Sequence, residues 1–361
     1  MKNIYLQILE YQSDNTPLVL ATVTGTLGST PQKPGSSALF GSEGLISGTV
    51  GGGVVEGRVH QIVLDAIITK RSGHFQFNLA NDISNTQEAI CGGRIDVLVD
   101  ANINNSIAVF ELVKQSLAER IPGVLITMVT RSDENMVLVN RYWMSQTIKP
   151  SIPEVFLKKI EPAVRSMISE LNPYDYREVE LSIQGEEPGS LFFLELVYPL
   201  PNLVIAGAGH IGKALAHIGK MLAFEVTVID DRQEYANSEN IPDASHIIVD
   251  DIGQALNSIK KGVDTYVVIV TRGHKDDAAA LRQCIGSEPA YLGMIGSGKK
   301  ISAMRDNFIE KGWATANQWE AIYAPVGLEI RSQTVEEIAV SIAAQLVLVR
   351  NSKKIKDKRQ K

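Results

Sequence analysis

Gly207, Gly209 and Gly212 stand in the spacing G-x-G-x-x-G inside LVIAGAGHIGKALAHIGKMLAFEVTVIDDR. That spacing serves nucleotide binding for separate physical reasons. Gly207 permits a tight turn, Gly209 lets the backbone approach a pyrophosphate, and Gly212 lets a helix pack close to the preceding strand. The free N–H groups at the start of that helix hold phosphate oxygens. Asp230 follows at the end of the next apolar run, where a carboxylate that accepts from ribose hydroxyls belongs. An acid there repels a 2′-phosphate, so NAD or another adenine nucleotide is favoured, although Arg232 softens that preference.

Further candidates follow along the chain. Arg272 and His274 lie just after an apolar run in VTRGHKDD, and His274 is either a general base, an imidazole contact or a loop histidine bonded to backbone. Ser297 and Lys299 lie in GMIGSGKK, close to P-loop spacing. Lys300 stands where the Mg²⁺-binding Ser or Thr belongs, so this is a strand-to-helix turn with anion affinity and no NTPase loop.

In the first hundred residues glycine is dense in three runs: Gly28, Ser29 and Gly35; Gly51, Gly52 and Gly53; and Cys91, Gly92 and Gly93. Such runs serve as turns that need positive φ, or as backbone nests for an anion, with Gly51 to Gly53 at a helix start. Residue types alone leave both open. Glu56, in the first turn of that helix, suits the helix dipole with or without a ligand. Cys91 is either a small buried hydrophobe or, with the N–H groups of Gly92 and Gly93 beside it, a thiol of lowered pKa. No set of protein ligands for a metal is visible.

These residues need elements to hold them. In the first block, residues 18–24 read as a strand, 38–40 and 45–46 as a hairpin turning at 41–44, 54–69 as a helix, and 75–79 and 94–100 as strands. In the middle block, 106–118 and a segment from 150 to 171 read as helices. Residues 123–130, 136–140, 179–183 and 191–197 read as strands that continue the first sheet, with no catalytic constellation. Strands at 203–206, 225–229, 246–249, 265–271 and 290–295 alternate with helices, and an apolar helix closes at 335–348. The fold class is therefore α/β: a C-terminal Rossmann doubly wound parallel sheet plus an N-terminal α+β domain. The expected domains are 1–198, including the middle segment 101–198, and 202–350, with a basic, frayed tail at 351–361. Loops at 207–212, 230–232, 250–251, 272–276 and 296–299 all fall on the carboxyl edge of the parallel sheet, where ligands bind.

Composition narrows the class. The chain of 361 residues is 44% hydrophobic and 21% charged with net charge −6, so no basic footprint for nucleic acid is present. No apolar run reaches membrane-spanning length. Two cysteines, Cys91 and Cys284, form no disulfide framework and fit a reducing, cytoplasmic setting. The closing helix is apolar enough to join a homodimer, and burial against its own sheet explains it equally well.

The segments GSTPQKPGSSALF, GTVGGGVVEG and CGGRIDVLV, then the Gly207 fingerprint with VIDDR, then VTRGHKDD, YLGMIGSGKK and APVGLEIRSQTVEEIAVSIAAQ, resemble in this order the XdhC/CoxI family. The resemblance spans nearly the whole chain and is weakest in the middle block. It implies an accessory protein, not a component of the finished enzyme. Such a protein binds molybdenum cofactor (molybdopterin), protects it during sulfuration, with a cysteine desulfurase as partner, and hands it to a xanthine dehydrogenase-type molybdenum hydroxylase. On that reading Cys91 is the thiol at the cofactor, touching molybdenum or carrying a persulfide, and the nests around Gly28, Gly35, Gly51 and Gly53 take the pterin phosphate. Lys299 departs from the arginine expected there and loses the planar fork. The alternative is an NAD-dependent oxidoreductase built on the fingerprint and His274, against which stands the absence of a second acid/base motif.

Overall fold

Two compact units, Lys2–Pro199 and Leu200–Lys361, divide the chain. The computed structural model describes residues 3–12, 17–79, 93–131, 136–172, 175–181 and 190–358, without the side chains of residues 54 and 352–358.

In the N-terminal unit strict alternation of side chains builds layers. The elements are α1 (Ile4–Tyr11), β1 (Val19–Leu27), β2 (Ser37–Gly41), β3 (Gly44–Gly48), α2 (Gly53–Thr69), β4 (Gly73–Asn78) and β5 (Arg94–Asp100). The strands form an antiparallel sheet in the order β3-β2-β1-β5-β4. Val19, Ala21 and Val23 of β1 pack with Val97 and Val99 under Val55, Val59 and Val63 of α2. The odd and even positions of a strand point to opposite faces, so Leu20, Leu39 and Leu98 are left for a second layer.

That layer comes from the middle block. A 3-10 turn (Ile103–Ser106) leads into α3 (Ile107–Ala118), then β6 (Gly123–Arg131), β7 (Val137–Ser145), α4 (Glu154–Glu170), β8 (Tyr176–Leu181) and β9 (Ser190–Val197). These strands do not continue the first sheet, contrary to expectation. They close a separate antiparallel sheet, β7-β6-β9-β8. The reason is that both faces of its central strands are apolar. Val124, Ile126, Phe192 and Leu194 pack under Ile160 and Val164 of α4. Leu125, Val129, Phe193 and Val197 meet Leu20, Leu39 and Leu98 of the first sheet, with Tyr5 and Ile8 of α1 and Phe110 of α3 closing one end. A sheet buried on both sides pairs within itself and stacks on its neighbour.

The C-terminal unit contains β10 (Asn202–Ala206), α5 (His210–Met221), β11 (Glu225–Asp230), β12 (His246–Val249), α6 (Ile252–Ser258), β13 (Thr265–Ile269), α7 (His274–Cys284), β14 (Tyr291–Met294), α8 (Gly298–Glu310), α9 (Ala316–Glu320) and α10 (Val335–Lys358). Its five strands are parallel in the order β12-β11-β10-β13-β14, which is the doubly wound arrangement of a Rossmann domain. Leu203 and Ile205 pack against α5 and α10, while Val204 and Ala206 pack against α6, α7, α8 and α9. The chain therefore switches faces between β10 and β13. The closing helix is longer than 335–348: it runs into the basic tail to Lys358. Lysine and arginine are good helix formers and no Pro or Gly intervenes, so 351–358 is helical, not frayed. Among the described residues no helix is long and apolar enough to cross a membrane.

Candidate functional site

The glycine turn after β10 has the shape that its sequence demands. Gly207 has φ +120° and a Cβ there would lie 2.4 Å from the Val270 carbonyl oxygen. A Cβ on Gly212 would lie 1.9 Å from the Gly207 carbonyl oxygen, whereas one on Gly209, the N-cap of α5, meets nothing within 4 Å. Two of the glycines thus hold the turn shut and the third faces open space at a helix N-terminus. Gly212→Ala is expected to force α5 away from β10 and to destabilise the C-terminal unit by about 3 kcal/mol, the upper end for overpacking because the contact is backbone. Chemical denaturation checks this, and a loss below about 1 kcal/mol would contradict it.

Asp230 lies beside this turn, but it is not open to a ribose. Its side chain is 2% exposed. Oδ2 accepts from the Ala208 N–H at 2.7 Å and from Arg232 Nη2 at 2.9 Å, and Oδ1 accepts from the Arg232 N–H at 3.1 Å and from Nε at 2.8 Å. Burial pushes its pKa up, but the Arg232 side chain and the two backbone N–H groups outweigh that and hold it below the usual carboxylate range. Arg232 is in turn stacked 4.0 Å over the Tyr235 ring. The expectation of a free ribose acceptor is corrected: Asp230 ties the end of β11 to the glycine turn. The exposed acid is Asp231, 47% accessible, with Arg272 Nη2 3.3 Å from its Oδ2 and Arg232 Nε 3.8 Å from its Oδ1. Arg272 also approaches Asp276 at 3.8 Å.

His274 is the first residue of α7 and is exposed, and its imidazole makes no hydrogen bond among the described residues. It is neither bonded to backbone nor oriented by an acid. The group that organises this loop is Asp277, which sequence reasoning passed over. It is fully buried, accepts from Thr271 Oγ1 at 2.5 Å and pairs with Lys300 Nζ. Ser297 caps α8 by accepting from the Lys300 N–H at 3.4 Å, and Lys299 is exposed. The GSGKK turn is a capped helix start whose second lysine is spent on Asp277.

The N-terminal glycine runs gather. A Cβ on Gly93 would lie 2.4 Å from the Ser29 carbonyl oxygen, and one on Gly51 would lie 2.8 Å from Pro31 Cγ. Gly28 (φ +73°) and Ser29 are exposed, while Gly35 packs on the Tyr176 ring and donates its N–H to Val23 O at 2.8 Å. The nest at α2 is filled from within. Gly51 N–H donates to Thr49 Oγ1 at 3.1 Å and Gly52 N–H to Glu56 Oε2 at 2.9 Å. Glu56 is thus the anion this turn already holds, and the expectation of a vacant nest is corrected for Gly51 and Gly52. Gly53 (φ +53°) faces open space. Cys91 and Gly92 lie outside the described residues. The other cysteine, Cys284, is buried, and its thiol is pushed up to about 11 by that burial.

A second polar cluster was not anticipated. Between the two sheets of the N-terminal unit a cavity of about 10 Å³ is lined by Tyr5, Thr22, Thr127, Arg141, Tyr176 and Glu195, among others. Tyr5 Oη donates to Glu195 Oε2 at 2.5 Å. Burial pushes Glu195 up to about 7 against the pull of Tyr5 and Arg141. Arg141 pairs with Asp100, with side chains 3% and 1% exposed, and Asp100 Oδ1 also accepts from Ser72 and the Asn102 N–H. Among the described residues no group of three or more His, Cys, Asp or Glu could hold a metal ion.

Two family models match this chain: the XdhC and CoxI family over residues 12–78 and the XdhC Rossmann domain over residues 203–346. Among curated relatives, a protein of Bacillus subtilis (strain 168) that bears the name of a probable xanthine dehydrogenase subunit is 24% identical over 97% of this chain and 98% of its own length. The uncharacterized protein YqeB of Escherichia coli (strain K12) is 22% identical over 97% of this chain, and the chain spans only 47% of that relative. A solved structure described as a xanthine dehydrogenase from Bacillus halodurans superposes with a TM-score of 0.76 at 24% identity, covering 97% of this chain and 96% of that one. It shares the fold.

Proposed function

The chain belongs to the XdhC and CoxI family, and from that premise we propose that it is an accessory protein of a xanthine dehydrogenase-type molybdenum hydroxylase. In this reading it binds molybdenum cofactor, supports its sulfuration with a cysteine desulfurase as sulfur source, and inserts it into the hydroxylase. The relative from Bacillus subtilis, matched over nearly all of both chains, carries the name of that enzyme and supports the association.

The observation that carries the reading is the gathering of the glycine runs. Ser29, Pro31, Gly51 and Gly93 come together, so Gly93, two residues after Cys91, is anchored beside backbone that suits an anion. The turn at Gly52 holds the Glu56 carboxylate on its N–H, so a pterin phosphate would take that N–H only by displacing Glu56. The molybdenum cofactor would supply the metal and the dithiolene that carries it. This chain's share is to hold the phosphate on N–H groups and to offer the Cys91 thiol. The C-terminal glycine turn suits NAD or another adenine nucleotide, because Gly209 leaves space at the start of α5.

Purified protein is expected to bind molybdopterin, and Cys91→Ala is expected to weaken that binding at least about tenfold, the size of one lost metal or thiol contact. Calorimetry or a cofactor-transfer assay with apo-hydroxylase measures it. Unchanged affinity removes Cys91 from the site, and absence of molybdopterin binding by the unmodified protein overturns the reading.

A further inference from the structure

Three strands set the geometry at the fingerprint. β10 ends in the glycine turn, and β11 and β13 flank it on either side. Strands in a sheet are about 4.8 Å apart, so the ends of β11 and β13 stand about 10 Å apart. The ion pair between Asp231, just after β11, and Arg272, in the loop after β13, closes that distance with Nη2 to Oδ2 at 3.3 Å. It therefore runs over the carboxyl end of β10. A nucleotide in a doubly wound sheet follows the same line, with its ribose at the end of the second strand and its diphosphate on the glycine turn.

We propose that the Asp231–Arg272 pair is a strap across the glycine turn, opened by the diphosphate of an incoming nucleotide, which takes Arg272 in exchange for Asp231. The inference rests on the reading that this turn binds a nucleotide.

The local chemistry makes the exchange feasible. Asp230 is spent on Ala208 and Arg232, and Arg232 is anchored on Asp230 and Tyr235. Arg272 is different: its side chain is 56% exposed, and its contacts, Asp231 at 3.3 Å and Asp276 at 3.8 Å, are both on accessible carboxylates. An exposed pair of this kind is weak, so opening it reduces ligand affinity only by a factor of about two to five. A guanidinium on a diphosphate makes shorter, charge-assisted and bidentate bonds, which favours the exchange.

The test is a double-mutant cycle on ADP binding by the full chain, measured by calorimetry. Asp231→Asn is expected to tighten ADP about threefold, because the competitor for Arg272 is removed. Arg272→Gln is expected to weaken ADP about tenfold, and adding Asp231→Asn to it is expected to give no gain. Both side chains are half-exposed, so the fold is retained, and a thermal melt verifies it. If Asp231→Asn tightens ADP equally in both backgrounds, the acid acts as a local charge alone and the strap is overturned. The same follows if it gives no gain where Arg272 is present. If neither the unmodified chain nor Asp231→Asn binds ADP, the nucleotide reading itself fails and the strap falls with it.

Discussion

Replacing Arg141 with leucine is expected to destabilise the N-terminal unit by about 3–5 kcal/mol. The guanidinium comes from β7 in the second sheet, and Asp100 ends β5 in the first, so the pair joins two sheets whose backbones meet only at an isolated bridge between Gly73 and Met136 among the described residues. Both side chains are out of water. Removing the cation leaves Asp100 with Ser72 Oγ and the Asn102 N–H, which are dipoles and no countercharge. It also removes the cation that holds Glu195 down, so Glu195 becomes harder still to ionise. Truncating one member of a buried pair is costly for this reason, whereas neutralising both is much less so. Asp100→Asn added to Arg141→Leu is therefore expected to recover about half of the loss. Urea denaturation followed at Trp143, which lies in this unit and donates to Ser116 at 2.9 Å, measures both. A single-variant loss below about 1 kcal/mol, the scale of an exposed pair, would show that water reaches Asp100.

The contrast between this cluster and the glycine turn explains what the sequence discloses. The roles of Gly209 and Gly212 are set within a few residues of chain, and only the contact of Gly207 with Val270 is distant, so spacing alone is enough to read the turn and the domain class. The direction of Asp230 is a matter of strand parity. It shares a face with Val226 and Val228, which pack with α5, so its carboxylate arrives under the start of that helix and Asp231 is left outside. The alternation in EVTVIDD carries that information, but an assignment by distance from the fingerprint overlooks it. Likewise Glu56 stands four residues beyond Gly52, close enough to fill the N–H that a ligand was expected to take. The middle block was legible as helices and strands but not as a sheet of its own. Which strand pairs with which is non-local: β9 pairs with β6 in the register Gly123 to Val197, and no local pattern records it. The run LFFLELV looks uniformly apolar because both of its faces are buried, and that conceals the one charged residue pointing inward, Glu195, between Phe193 and Val197.

Glu195 gives the N-terminal unit a pH dependence opposite to that of an ordinary ion-paired carboxylate. Its folded-state pKa is raised to about 7 from 4.5, first by burial, with the Tyr5 hydroxyl and Arg141 pulling the other way. The groups that face it are Tyr5 from α1, Arg141 from β7 and Tyr176 from β8. The Thr22 and Thr127 hydroxyls and the apolar Leu20, Leu98 and Phe193 complete the wall. Below pH 4.5 the carboxyl is protonated whether the chain is folded or not, and stability is insensitive to it. Between pH 4.5 and 7 the folded form keeps a proton that the unfolded form releases, so the folded state binds more protons and stability falls as pH rises. Above 7 both forms are ionised and the loss is complete. A rise from 4.5 to about 7 at about 1.4 kcal/mol per tenfold gives a loss of about 3 kcal/mol. Glu195→Gln keeps an acceptor for the Tyr5 hydroxyl and cannot ionise, so its stability is expected to show no such fall. Above pH 7 it should exceed the unmodified protein by about 3 kcal/mol. Denaturation midpoints at pH 4.5, 6 and 8 for the two proteins, taken as a difference so that all other carboxylates cancel, measure the effect. A difference that stays level across that range would mean that Glu195 ionises as freely in the folded chain as outside it. The cavity between the sheets, about 10 Å³, is near the smallest that admits one water molecule. A level difference would then identify hydration at that point as what keeps the carboxylate charged, because Arg141 is already committed to Asp100.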